Sequence, residues 1–162
     1  MGEGLTLAPR GTISGAMRVI TRSPEDTAAL GAAVGARLFD GAVVLLVGGL
    51  GAGKTCFTQG LARALGVDGP VQSPTFIVIQ EYPDARVPLR HADLYRLDTF
   101  DEVRSTGLDE RVGDDGAWVI EWADKFPEVW PPDRLEVHLS HEVDGRAVRF
   151  VATGPRHAAL IP

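Results

Sequence analysis

The sequence predicts an α/β fold with a mixed sheet and a C-terminal β-hairpin. Three observations carry this. Apolar runs bounded by glycine alternate with segments of helical spacing. The most apolar run leads directly into a glycine-rich loop and then a helix. Two strand-like segments flank Asp144-Gly145 near the C-terminus, a hairpin signal.

The elements follow in order. Residues 1–16 are Gly-rich and aperiodic and read as a loose leader, followed by a single domain over residues 17–152 and a tail over 153–162 that is expected to fray. Met17–Arg22 suits a short strand. Ser23-Pro24-Glu25-Asp26 reads as a helix start, with Ser at the N-cap, Pro in the first turn where its missing N–H costs nothing, and acids against the positive end of the dipole. Leu30, Val34 and Leu38 recur at i, i+4, i+8 and give that helix one buried stripe, ended by Asp40-Gly41. Ala42–Val47 is a continuous apolar run, the pattern of a strand covered on both faces.

A helix is expected from about Lys54 to Leu65, stopped by Gly66, and strands at Thr75–Glu81 and Leu89–Tyr95. Thr99 with Glu102 three residues on makes a capping box for a helix ending near Gly107. Ala117–Trp122 is a further buried strand, and Arg134–Leu139 with Ala147–Ala152 forms the hairpin.

Composition narrows the function classes. The 162 residues are 44% hydrophobic and 23% charged, ordinary for a globular domain and too apolar for disorder. The longest apolar run, Gly41–Val47, is too short to cross a bilayer, and no secretion signal is visible, so no membrane partner is expected. A single cysteine, Cys56, excludes an internal disulfide and makes a cytoplasmic location the default expectation. The net charge of −6 argues against broad nucleic-acid binding, and no DNA partner is expected.

Gly48-Gly49-Leu50-Gly51-Ala52-Gly53-Lys54-Thr55 satisfies G-x-x-x-x-G-K-[ST]. The glycines open backbone angles that let successive N–H groups face one anion, and the following helix points its positive end there. Lys54 can reach the β- and γ-phosphates, and the Thr55 hydroxyl can ligate Mg²⁺. The chain has only two lysines, Lys54 and Lys125, and one stands where this motif demands it. The fold expectation sharpens to a P-loop NTPase-like, three-layer α/β/α arrangement. With no asparagine in the chain, the N-K-x-D segment that reads guanine is impossible, so ATP is favoured by elimination.

Such a loop needs an acid on a neighbouring strand to hold Mg²⁺ directly or through water. Asp93, in HADLYRL, and Glu121, closing the apolar AWVIEW, both qualify. Each also has a structural reading, as a strand-end carboxylate compensated by a cation; for Asp93, Arg90 and Arg96 lie nearby. Ser73-Pro74-Thr75 lies where P-loop proteins keep a threonine that senses the γ-phosphate, but Ser-Pro also simply favours a turn. His91, His138 and His141 lack metal-ligand spacing and read as packing or surface residues.

Taken together, GxLGAGKT, SPTF, HADLYRL and VIEW, in this order and spacing, resemble the TsaE (YjeE) family, over about Met17 to Ala152. The resemblance implies a bacterial P-loop ATPase required to make N6-threonylcarbamoyladenosine in tRNA. It implies ATP and Mg²⁺ as cofactors, Lys54 and Thr55 as the phosphate lysine and the Mg²⁺ threonine, and Thr75 as the switch-loop threonine. It further implies Asp93 as an aspartate needed for hydrolysis close to the metal, and Glu121 as a Mg²⁺ ligand with Trp122 beside it. Nucleotide contacts are implied at the first helix entry, around Pro24, and at the late hairpin, around Gly145 and Arg146; a solvated hairpin tip explains Arg146 equally well. The implied partners are the TsaD and TsaB subunits of a transferase assembly, with tRNA met indirectly or locally. The chain departs from the family pattern at Gly49, where Asp is common, and at Cys56, where Thr is common; Cys56 reads as a small buried helix residue. Two other functions fit a P-loop domain of this length: a nucleotide-gated binding module without significant hydrolysis, and a small-molecule kinase.

Overall fold

A computed structural model describes residues 7, 13–74, 76 and 78–162 of the chain. The strands among them are β1 (Gly15–Thr21), β2 (Val43–Val47), β3 (Ile79–Tyr82), β4 (Leu89–Asp93), β5 (Ala117–Glu121), β6 (Arg134–Glu142) and β7 (Gly145–Thr153). The helices are α1 (Pro24–Gly35), α2 (Lys54–Ala64), α3 (Phe100–Thr106), α4 (Leu108–Arg111) and α5 (Pro155–Ala158), with two 3-10 turns between β5 and β6. The strands form one sheet in the order β1-β7-β6-β2-β5-β4-β3. Within it β6, β2, β5 and β4 run parallel, while β7, β1 and β3 are antiparallel to their neighbours, so the sheet is mixed.

Alternation along the buried strands creates two cores. Val44 and Leu46 of β2 face one side, against Phe57 and Leu61 of α2 and Val34 of α1. Val43 and Leu45 face the other, against Val103 of α3 and Leu108 of α4. Helices therefore cover both faces, as the apolar runs require. Helices α1 and α2 pack unusually close because glycines stand at their crossing. A Cβ at Gly31 would overlap the Phe57 carbonyl, and one at Gly60 the Ala28 carbonyl.

Local signals place the helix starts. Ser23 is extended (φ −153°, ψ 160°) and its hydroxyl accepts from the Asp26 amide at 3.1 Å, with Pro24 opening α1. Thr99 and Glu102 form the reciprocal capping box of α3.

Several expectations need correction. The strand expected over Thr75–Glu81 begins only at Ile79. The Val78 amide bonds back to the Pro74 carbonyl at 2.7 Å, and Val78 itself is left-handed (φ 68°), a turn no extended strand contains. The next strand stops at Asp93 rather than Tyr95, and β5 stops at Glu121 because Trp122 is left-handed (φ 62°). The hairpin strands are longer than expected, pairing from Arg134↔Thr153 to Glu142↔Gly145. Of the residues read as a leader, Gly15 and Ala16 lie in β1 and Leu7 is buried in the second core; residues 1–6 and 8–12 lie outside the described residues.

The last ten residues do not fray. Leu160 is buried in the first core, Arg37 Nη1 donates to the Ile161 carbonyl at 2.6 Å, and α5 buries His157. The Val43 amide, at the start of β2, donates to His157 Nε2 at 3.1 Å. Burial pushes His157 down to about 4, helped by the Arg156 charge and opposed by Asp133. Protonating Nε2 would also set two donors against each other.

His157 thus folds neutral, while the unfolded chain takes up a proton near the ordinary value of about 6.5. Between those values the unfolded state binds more protons, so stability is expected to fall as pH drops from about 6.5 toward 4. Thermal melts across that range check it: His157→Gln, which keeps an acceptor but cannot titrate, should show a shallower decline than wild type.

Candidate functional site

Parallel pairing brings three strand ends together. Leu46 of β2 lies opposite Glu121 of β5, and Glu121 opposite Asp93 of β4. The loop Gly48–Thr55 rises from the end of β2 across this edge, and α2 starts within it. Gly51 (φ 72°) and Gly53 (φ 110°) occupy left-handed backbone that side chains resist, and a Cβ at Gly48 would lie 2.6 Å from the Leu139 carbonyl. Gly53 caps α2, and among the described residues no side chain bonds the first amides, leaving those N–H groups for an anion.

Lys54, the first residue of α2, is almost wholly buried. Its ammonium donates to the carbonyls of Gly48 and Gly49, both at 2.7 Å, and stands 4.2 Å from the centre of the Trp122 ring. Burial lowers the Lys54 pKa below its ordinary value, while Glu121, Asp93 and Asp124 pull it back up. Trp122 owes its place beside Lys54 to its left-handed backbone and a tilted ring contact with Tyr95 at 5.0 Å.

The two carboxylates are buried but differently held. Asp93 accepts from the Tyr95 amide at 2.9 Å and from the Ser73 hydroxyl. Glu121 meets His91 Nε2 at 2.6 Å through Oε2. The cations that made Asp93 ambiguous in sequence are engaged elsewhere: Arg90 pairs with Glu81 at 3.4 Å and the Arg96 guanidinium lies over the Phe76 ring at 4.4 Å.

These groups border a cavity of about 590 Å³, within the range of small-molecule sites. Pro24, Leu50, Gly51, Gly53, Lys54 and Thr55 line it, as do Asp93, Glu121, Gly145 and Arg146. Ala52 turns into the first core instead, and Gly48 and Gly49 contribute the carbonyls that hold Lys54. The hairpin tip reaches the cavity because Gly145 lies so close to β1 that a Cβ would overlap the Thr21 carbonyl. From there Arg146 donates to the Gly51 carbonyl at 3.2 Å. Thr75 lies outside the described residues.

Sequence reasoning missed Arg22, Ser73 and Arg96, which also line the cavity; Ser73 and Arg96 belong to the SPT and HADLYR motifs already singled out. It also misread two residues. His91 is not simply packing, and Cys56 is only half-buried, lining the cavity with its thiol donating to the Pro24 carbonyl at 3.0 Å. Burial pushes the Cys56 thiol up, then the Glu25 charge, so it stays protonated.

The donor set fits Mg²⁺ bound with phosphate. Among the described residues no cluster of three or more His, Cys, Asp or Glu side chains is arranged to hold a metal alone. Mg²⁺ typically uses one or two carboxylates, waters and substrate phosphates instead. A hydroxyl at Thr55 and carboxylates at Glu121 and Asp93, facing a lysine and a glycine loop, make such a set.

The model of the family described as threonylcarbamoyl adenosine biosynthesis protein TsaE matches residues 21–148. A Bacillus subtilis relative named tRNA threonylcarbamoyladenosine biosynthesis protein TsaE is 41% identical over 86% of this chain and 88% of its own length. A Treponema pallidum relative of the same name is 40% identical over 84% of this chain and its full length. The crystal structure of Bacillus subtilis YdiB superposes with a TM-score of 0.79 at 35% identity, covering 92% of this chain and 93% of that one.

With two lysines in the chain, the Lys54 side chain is readily followed by NMR after lysine labelling, assigned with Lys125→Arg. It should titrate below the ordinary value of about 10.4, and lower still in Glu121→Gln, which removes a charge that favours the ammonium. A Lys54 titration at the ordinary value, unmoved by that substitution, would contradict the burial and charge pairing described.

Proposed function

The chain belongs to the TsaE family, and on that premise we propose that it binds ATP with Mg²⁺ in this cleft and hydrolyses it. In this reading ATP turnover supports repeated cycles of tRNA N6-threonylcarbamoyladenosine formation by the TsaD–TsaB assembly. The observation that carries the proposal is the register pairing of Asp93 with Glu121 beside the Lys54 loop. Two buried carboxylates side by side call for positive charge next to them, which Lys54 supplies in part and a bound cation would complete.

The residues take distinct roles. Amides of the Gly48–Thr55 loop and of the α2 N-terminus surround the phosphates. Lys54 exchanges the Gly48 and Gly49 carbonyls for phosphate oxygens, so its charge is already in place when the nucleotide arrives. Thr55 and Glu121 hold Mg²⁺, which supplies charge neutralisation on the phosphate oxygens. Asp93, paired in register with Glu121, would orient the attacking water. Arg146 and the Pro24 region frame the rest of the nucleotide.

Nucleotide state would be read out through the segment containing Thr75. Its Ser73 and Phe76 already touch Asp93 and Arg96 of the β4 end, so contacts made or lost at the γ-phosphate reach that loop. The partner surface then differs between ATP and product states. Contact with tRNA is local or through the partners, in keeping with the acidic charge. A cytoplasmic site of action fits this role, and no helix among the described residues is long and apolar enough to cross a membrane.

ATP hydrolysis by the purified protein, alone and with TsaD–TsaB from the same organism, tests this. Turnover should rise with the partners and fall at least about 100-fold in Glu121→Ala, as expected when a group stabilising transition-state charge is removed. Turnover that tracks an added metabolite instead would make the protein a small-molecule kinase. ATP binding without turnover under every condition would make it a nucleotide-gated module.

A further inference from the structure

The geometry points to His91 as the positioning residue that fixes Glu121 in its metal-binding orientation, an inference that rests on the ATP·Mg²⁺ reading above. His91 sits on β4 opposite Val119, two residues before Glu121 on the same face of the neighbouring strand. Its side chain is completely buried, and Glu121 is only 2% exposed. The ring meets Glu121 Oε2 at 2.6 Å through Nε2, and among the described residues Nδ1 has no hydrogen-bond partner. The imidazole therefore has one polar engagement, and it is this carboxylate.

That arrangement is not explained by packing. Between Leu89 and Val119, which belong to the first core, a leucine would fill the space without burying a polar ring. Burying an imidazole is worthwhile where its N–H is needed, and here the N–H holds a long, flexible side chain in one rotamer. The Glu121 backbone is fixed separately, its carbonyl accepting from the Leu94 amide at 3.1 Å. With Oε2 committed to the ring, the other carboxylate oxygen is left for the cleft, which Glu121 lines. Hydrogen-bonded outer partners of this kind commonly set metal affinity without touching the metal.

The decisive comparison is His91→Gln against His91→Asn. Both are polar and smaller than histidine, but only the glutamine amide stands at the reach of Nε2. The readout is Mn²⁺ binding to the protein with a non-hydrolysable ATP analogue, followed by electron paramagnetic resonance, alongside analogue affinity without metal and thermal melts. His91→Asn should weaken Mn²⁺ binding by roughly 10- to 100-fold while metal-free nucleotide affinity stays near that of wild type. His91→Gln should recover most of the Mn²⁺ affinity. A purely structural role predicts that the two variants lose Mn²⁺ and metal-free nucleotide binding together, and would overturn the inference. Unchanged Mn²⁺ binding in His91→Asn would overturn it as well. If wild type itself shows no metal-dependent nucleotide binding, the ATP·Mg²⁺ reading fails first and takes the inference with it.

Discussion

Everything at the cleft depends on keeping three charges, Lys54, Asp93 and Glu121, together at one edge of the sheet. Charges taken out of water are tolerated only when each has partners. Lys54 has two loop carbonyls and an aromatic face, Asp93 a hydroxyl and an amide, Glu121 an imidazole. The fold supplies those partners from separate stretches of chain. Parallel pairing of β2, β5 and β4 aligns the strand ends, and the close glycine-mediated crossing of α1 and α2 fixes where α2 begins. Stability and function are therefore linked, because loosening either core would displace the partners that let these charges stay buried.

The same logic explains why the cleft borrows from distant parts of the chain. The hairpin tip, the α1 entry and the end of β5 meet around one loop. Cys56 ties α2 to the Pro24 carbonyl, and Arg146 ties the hairpin to Gly51. Both hydrogen bonds join elements that border the cavity, so a ligand that displaces either bears on the elements it links. The two departures from the family loop sit differently in this frame. Among the described residues nothing lies within 4 Å of where a Gly49 side chain would start, so no packing contact is lost there, whereas the Cys56 thiol keeps a donor where threonine would offer a hydroxyl.

What could be read from the sequence was local. The Ser23 cap, the Thr99–Glu102 box and the glycine loop are encoded within a few residues, and the structure has them where the sequence put them. The continuous apolar runs revealed β2 and β5 because strands covered on both faces need no partner information. Long-range partners were invisible. His91 was indistinguishable from a core histidine because Glu121 lies thirty positions away, across a strand pairing. The C-terminal segment read as a fraying tail because its anchors, Val43 and Arg37, lie more than a hundred residues upstream. Val78 falls within the strand expected over Thr75–Glu81, and the turn closed by Pro74 overrides the strand preference of its branched side chain.

The most direct measurement is the number of tRNA molecules modified per TsaD–TsaB assembly in a reconstituted reaction, with this protein supplied as wild type or as Glu121→Gln. If hydrolysis at this cleft resets the assembly, wild type should sustain many cycles while the variant stops after about one, even though it still binds nucleotide. Sustained multiple turnover with Glu121→Gln would show that hydrolysis at this cleft does not drive the cycle.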